Sequence, residues 1–417
     1  MRAGARLQAV VEILDGLGDT AMPADRFIRE FFRARRYAGS GDRAAIAELV
    51  FAIQRRRALL AWRMHGDDPR RLVIGMLVME GLMADEIAAL FDGSQYAPPP
   101  LSEDERAAIA ASPSGEPPQH VHGEYPEWLE RELHRAFGDD VLSEMQAMQS
   151  RASIDLRANT LATTRDALAA ALRDEGFAVA PVSYSPWGLR LPPGEGSAKL
   201  SASPQFASGA FEFQDEAAQI AALLCAAKPG QRVLDYAAGA GGKTLALAAA
   251  MQNQGEITVL DSDPARLAMF FPRARRAGVT IADANLLHSK FDIVLLDSPC
   301  SGTGTWRRQP EQRWRLTPER LAELIALQDR LLAEASPFVS PGGRLVYATC
   351  SLLPSENDDR IAAFLAAHSD FSSVSATDIW RSETAAAPPP GMDQVFRASP
   401  RQTGTDGFFT AILQRHR

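Results

Sequence analysis

A chain of 417 residues, 46% apolar and 23% charged, is longer than one ordinary core organises and calls for two or three domains. No apolar run nears the roughly 18 residues of a membrane span. The first twenty residues carry Arg2, Arg6, Glu12, Asp15 and Asp19 where a signal peptide would be apolar, and three cysteines cannot staple a secreted scaffold. These features exclude membrane, fibrous, disordered and disulfide-framework classes and make the cytoplasm the expected address. The net charge of -8 argues mildly against a nucleic-acid partner. Charge acts locally, however, and between Arg26 and Arg71 twelve arginines meet five acids, a net +7. With forty Arg and four Lys in the whole chain, that segment reads equally as an RNA-binding patch or as an Arg-rich solvated face.

Helical spacing comes first along the chain: Leu7, Val10, Val11, Leu14 and Leu17, then Phe27, Ile28, Phe31 and Phe32, then Ile46, Leu49, Val50 and Ile53. An all-helical domain is expected over 1–97. Ala97-Pro98-Pro99-Pro100 and the Ser/Gly/Pro-rich 112–118 mark a linker over 98–124. Residues 125–212 read as a small α+β domain, with a helix over 128–148, a strand at 154–156, a helix at 165–175, and strands at 177–182 and 189–191. From 213 to 417 strands alternate with helices, at 232–236, 256–260, 279–282, 291–296 and 344–348, with an antiparallel strand closing at 408–413. That rhythm predicts a doubly wound, Rossmann-like α/β domain with ligands at the carboxyl ends of its strands.

Within it, Val233-Leu234-Asp235-Tyr236-Ala237-Ala238-Gly239-Ala240-Gly241-Gly242-Lys243-Thr244 reads as strand, glycine-rich turn and helix start. Such a turn lets a ligand approach the backbone and meet free N–H groups. Asp261, at the end of the second strand, is placed to accept from both hydroxyls of a ribose, and Asp283, at the end of the third, suits the amino edge of an adenine. Gly242-Lys243-Thr244 imitates a phosphate-binding loop, but Ala237 stands where that loop needs glycine. A nicotinamide dehydrogenase fits the turn and gives no reason for the cysteines that follow.

Asp297-Ser298-Pro299-Cys300-Ser301-Gly302-Thr303-Gly304 follows the fourth strand, and Tyr347-Ala348-Thr349-Cys350-Ser351 the fifth. Neighbouring strand ends open into one crevice, so both thiols are expected to face it. Cys225 lies on an apolar helical face and reads as a small core residue. Carbon 5 of cytosine is a weak nucleophile until a thiolate adds to carbon 6 and turns the ring into an enamine. Asp297 is placed to stabilise the charge that develops, and Lys243 to help a thiol ionise. The base must first leave its stack.

These motifs resemble the Sun/RsmB-type family of RNA cytosine-5 methyltransferases. Arg157-Ala158-Asn159-Thr160-Leu161, Phe213-Gln214-Asp215-Glu216, Asp297–Gly304, Ala348–Ser351 with Glu356-Asn357, and Asp406-Gly407-Phe408-Phe409 carry the likeness. The resemblance implies Cys350 as nucleophile and Cys300 as the residue that helps release product. It implies Ala237, Ala238, Gly239, Ala240, Gly241, Gly242, Lys243, Asp261, Asp283 and Asp297 as contacts to S-adenosylmethionine or the cytosine. It also implies a NusB-like RNA-binding N-terminal domain and small-subunit ribosomal RNA as substrate. Gly239-Ala240 replaces the family's Ala-Pro, Gln309 its His in Arg-His-Pro, and the segment between Asp283 and Phe291 is short. No metal is expected, since His120 and His122 form the sole close pair without partners. The alternative is a non-catalytic ribosome-assembly factor on the same scaffold, which has no use for Cys300, Cys350 and Asp297 together.

Overall fold

The computed structural model describes all residues except 36, 37, 112–114, 195, 196 and 284–289, and falls into two compact units. One comprises Met1–Ser150 with Trp306–Leu316, the other Arg151–Thr305 with Thr317–Arg417. No helix among the described residues is long and apolar enough to cross a membrane.

The first unit is helical, as expected. Its helices Ala3–Gly18, Ala24–Ala34 and Ser40–Arg55 bury the apolar stripes of the sequence, among them Val10, Ile13, Ile46, Val50 and Ile53, in one core. Part of the expected linker folds as well. Ser102 accepts from the Glu105 N–H, and Glu105 accepts from the Ser102 N–H, so a capping box starts the helix Glu103–Ala110. The expected linker residues 112–114 lie outside the described residues. Glu124, in a left-handed turn at φ +56°, accepts from the Ala58 and Leu59 N–H groups at 2.8 and 3.1 Å and so caps the helix Arg57–Met64.

Trp306–Leu316 joins this unit by satisfying helix ends. Glu311 accepts from the Ala24 N–H at 3.0 Å, Arg315 donates to the Leu17 and Met22 carbonyls at 3.0 Å each, and Trp314 donates to the Gln54 carbonyl at 3.1 Å. Trp306, Arg307, Pro310, Glu311 and Arg313 are buried there, whereas Gln309, the departure from the family triplet, is exposed.

The second unit holds two sheets. Strands β1 (Ile154–Ala158), β2 (Ala180–Pro181), β3 (Gly188–Leu191) and β4 (Phe211–Phe213) form an antiparallel sheet in the order β2-β3-β1-β4. The helix Arg165–Asp174 supplies Leu168 and Leu172 to its core with Leu156, Leu189 and Phe211. The strand expected over 177–182 is reduced to two exposed residues at a sheet edge, where Pro181 cannot donate to a ladder. The alternate face of β1 is polar yet buried. Asp155 takes a bidentate bond from Arg190 at 2.6 and 2.7 Å and accepts from the Glu216 N–H, while Arg157 donates to Gln214 at 2.6 Å. These bonds fasten the small sheet to the start of the larger domain.

That domain is a mixed sheet of β5 (Arg232–Asp235), β6 (Glu256–Val259), β7 (Ala282–Asp283), β8 (Phe291–Asp297), β9 (Val339–Thr349), β10 (Phe371–Val374), β11 (Phe396–Ala398) and β12 (Phe408–Arg415). Its order is β10-β12-β9-β8-β5-β6-β7, with β11 beside β12. β5 to β9 run parallel, and β12 returns antiparallel to β9. The parallel strands are buried on both faces, which is why Val233-Leu234 and Ile293–Leu296 are unbroken apolar runs. The chain winds outward in both directions from β5 and β8, and that switch point opens a crevice at their carboxyl ends. The short strands β4, β10 and β11 carry no clear signal in the sequence, and β7 is shorter and later than the expected 279–282.

Candidate active site

The glycine turn leaves β5 at Asp235 and enters the helix Gly242–Ala250. The Ala238 N–H donates to the Leu260 carbonyl and the Gly241 N–H to the Ala238 carbonyl, both at 2.8 Å. Gly239 and Gly241 adopt φ of +54° and +80°, and at Gly241 a Cβ would also run into the Phe270 ring. Arg273 donates to the Ala240 carbonyl at 2.6 Å and to Glu212 at 2.9 Å, tying the turn to β4. Asp261 lies two residues beyond β6, not at its last residue. It accepts from the Gly239 N–H at 2.7 Å and from the Asp263 N–H at 2.8 Å, so the acid and the turn hold one another. Asp283 ends β7, paired in register with Thr258. The short segment that follows it lies outside the described residues.

Lys243 is buried and donates to Asp297 at 2.6 Å, with its ammonium 4.9 Å from the centroid of the Phe408 ring. Burial works against its charge, but Asp297, Asp235 and the Cys350 sulfur together hold its pKa above the usual value. Asp235 is fully buried and bonded by the Thr244 hydroxyl at 2.6 Å; burial, reinforced by the Asp297 charge, pushes its pKa up to about 7. Asp297, 35% exposed, is the member of this group that opens to the crevice.

The two thiols meet. Cys300 Sγ and Cys350 Sγ are 3.4 Å apart, both half-buried, while Cys225 is a fully buried core residue whose thiol burial pushes up to about 12. Their loops are stitched together: the Ser298 N–H donates to the Ala348 carbonyl at 2.8 Å and the Gly304 N–H to the Cys350 carbonyl at 2.9 Å. The closing Asp406-Gly407 seals the same place. The Gly407 N–H donates to the Gly304 carbonyl at 2.8 Å, and the Asp406 N–H reaches Asp215 at 3.2 Å.

Every candidate site residue of the sequence therefore stands at the carboxyl ends of β5 to β9, in the crevice or on the loops that wall it. Arg273 escapes sequence reasoning because an arginine in Arg273-Ala274-Arg275-Arg276 carries no local mark of a carbonyl partner 33 residues back. Gln214 and Glu356 lie inside noted motifs, but nothing local states their roles. Among the described residues no group of three or more His, Cys, Asp or Glu is placed to hold a metal ion.

A parallel sheet wound from a central glycine turn, with acids after successive strands and an antiparallel last strand, defines a Rossmann-like methyltransferase. The chain belongs to the 16S rRNA methyltransferase RsmB/F family, whose methyltransferase domain matches residues 222–414 and whose ferredoxin-like domain matches 125–194. A probable ribosomal RNA small subunit methyltransferase B from Synechocystis is 34% identical over 308 residues, covering 70% of this chain and 67% of that protein. The crystal structure of PH0851 is similar with a TM-score of 0.79 and 24% identity, over 99% of both chains. That of a methyltransferase homolog protein from Pyrococcus horikoshii gives a TM-score of 0.60 at 27% identity, over 71% of this chain and 97% of the other.

Proposed function

We propose that the chain methylates carbon 5 of a cytosine in small-subunit ribosomal RNA, with S-adenosylmethionine as methyl donor and a covalent cysteine adduct as intermediate. The observation that carries the reading is the pair of thiols 3.4 Å apart beside the Lys243–Asp297 ion pair. A methyltransferase acting on an ordinary nucleophile needs no thiol in its crevice, and this one keeps two.

The donor set suits S-adenosylmethionine: carboxylates follow three adjacent parallel strands around a glycine turn in which a side chain at Gly239 would meet Arg266 and one at Gly241 would meet Phe270. Ala237–Lys243 would line the cofactor, Asp261 would take the ribose hydroxyls, and Asp283 the adenine edge. Once bound, S-adenosylmethionine offers a methyl group on a sulfonium, an electrophile strong enough for an enamine carbon.

The chain's own residues prepare that carbon. Cys350, as thiolate, bonds carbon 6 of the flipped cytosine, and the displaced ring electrons end on N3, which takes a proton passed from the Lys243 ammonium through Asp297 and returns it when the ring double bond re-forms. Lys243 holds Asp297 in place and offsets the negative charge near Cys350. After methylation carbon 5 carries both a hydrogen and a methyl group. Cys300 takes that proton, the ring double bond re-forms, and Cys350 leaves as thiolate.

The test is bisulfite sequencing of small-subunit ribosomal RNA incubated with the protein and S-adenosylmethionine. One cytosine should become protected, and should stay unprotected when either reactant is omitted. Methylation found on a ring nitrogen or a ribose, with every cytosine still converted, would sink the proposal.

RNA affinity is assigned to the helical unit. Its charge is less free than the sequence suggests, because Arg26, Arg35, Arg57, Arg70 and Arg71 are paired with acids, as is Arg29. Arg33, Arg56 and Arg63 make no salt bridge among the described residues and are among the cations available for phosphate. Replacing these three by Gln should weaken RNA binding and lower its salt slope by about 0.7–0.9 for each phosphate no longer neutralised. Titrations at several salt concentrations measure it; an unchanged slope would mark the cluster as a solvated face.

A further inference from the structure

Glu356 takes no part in the steps above, yet it is fully buried between the two cysteine loops. One carboxylate oxygen accepts from the Ser301 N–H at 2.8 Å and from the Gln328 amide at 2.9 Å. The other accepts from the hydroxyls of Ser301 and Ser351, the residues that directly follow Cys300 and Cys350. Ser351 Oγ itself accepts from the Leu353 N–H at 3.0 Å, which turns its proton toward Glu356. Four donors and no acceptor around two oxygens is the pattern of an ionised carboxylate. Gln328 also donates to the Pro299 carbonyl at 3.0 Å, bracing the first loop from the helix Pro318–Ala335.

The charges around the two sulfurs are unequal. Cys300 has Glu356 and the Cys350 sulfur as its neighbours, whereas Cys350 has the Lys243 ammonium within electrostatic reach. The other titratable groups nearby are engaged: Asp297 by Lys243, Asp329 by Arg360, and the Tyr347 hydroxyl, which donates to the Glu356 carbonyl at 2.7 Å.

We propose that Glu356 is the positioning residue that fixes the order in which the two thiols act. It ties Ser301 and Ser351 to one carboxylate so that the sulfurs stay adjacent, and its charge beside Cys300 reserves the first thiolate for Cys350. The proposal rests on the covalent cytosine chemistry above and adds a device that prevents the wrong sulfur from attacking. In agreement, the Cys350 sulfur, burial and the Glu356 charge push the Cys300 thiol well above its ordinary range. When Cys350 becomes a neutral thioether, Cys300 is left with Glu356 as its one negative neighbour. Its proton then leaves to water at the half-exposed sulfur, and the thiolate so formed takes the proton from carbon 5. The electron pair of that C–H bond restores the ring double bond, and the carbon–sulfur pair departs with Cys350.

Alkylation of each cysteine by iodoacetamide across pH, read by peptide mass spectrometry on the full chain, tests this without RNA or cofactor. In the native protein Cys350 should react at lower pH than Cys300. Glu356→Gln, which keeps the shape and removes the charge, should move the Cys300 profile down by about one pH unit or more and close the gap. Ser301→Ala, which removes one hydroxyl donor and leaves the charge, should keep the order. Cys300 reacting first in the native protein, or an unmoved Cys300 profile in a folded Glu356→Gln, overturns the proposal; the first of these needs no variant to fold. Because no methylation is measured, failure here is separate from failure of the bisulfite experiment.

Discussion

Cys350→Ala is expected to abolish both methylation and any covalent complex with RNA, while Cys300→Ala should trap one. The difference follows from the two halves of the proposed reaction. Without Cys350 no bond to carbon 6 forms, carbon 5 never becomes an enamine, and the neighbouring thiol 3.4 Å away is held back by its surroundings. Without Cys300 the bond forms and the methyl group arrives, but nothing removes the proton from carbon 5, and the adduct persists. Denaturing electrophoresis with labelled RNA separates these outcomes: a shifted band for Cys300→Ala and none for Cys350→Ala. The opposite pattern would exchange the roles of the two thiols. Full methylation by both variants would remove covalent catalysis altogether.

Gly241→Ala should be the most damaging single methyl group in the cofactor turn. The residue sits at φ +80°, where an L side chain costs about 1–2 kcal/mol. Its new Cβ would overlap the Phe270 ring, which is fully buried and has nowhere to move, adding about 1–3 kcal/mol. Urea unfolding should therefore show the catalytic unit about 2–5 kcal/mol less stable. Calorimetry should show S-adenosylmethionine binding weakened with it, because the Gly241 N–H to Ala238 bond shapes the turn. Gly242→Ala is the control. There an added Cβ meets nothing closer than 3.9 Å and begins a helix, where alanine is favoured. Equal stability of the two variants would show that the turn is not the tight element described.

The site is legible in the sequence to the extent that its chemistry is local. A glycine turn, an acid after a strand, Pro-Cys and Thr-Cys each announce themselves within a few residues, and the doubly wound rhythm gathers them at one end of the sheet. What stays hidden depends on partners far along the chain. Glu356 serves Ser301, 55 residues back, and Arg273 serves Ala240, so neither role has a local signature. The arginine cluster misleads for another reason: net charge counts Arg29 as free, whereas Asp25, just outside the counted stretch, pairs with it. Strands β10 and β11 are three or four residues long with mixed burial, too short for alternation to be read. Helix formation within 98–124 is obscured by prolines, although Ser102 and Glu105 carry the signal of a capping box.

The path of the chain through Trp306–Leu316 bears on how this protein can be taken apart. The helical unit is assembled from two separate stretches of the gene, so no single cut isolates either half. An expression clone ending at residue 150 would lack the pieces that cap Ala24 and engage Leu17, Met22 and Gln54. One beginning at residue 151 would carry Trp306, Arg313 and Leu316 with their burying surface gone. A transplant of the helical unit onto another enzyme must therefore bring the eleven residues 306–316 as an internal graft, in addition to the terminal fusion.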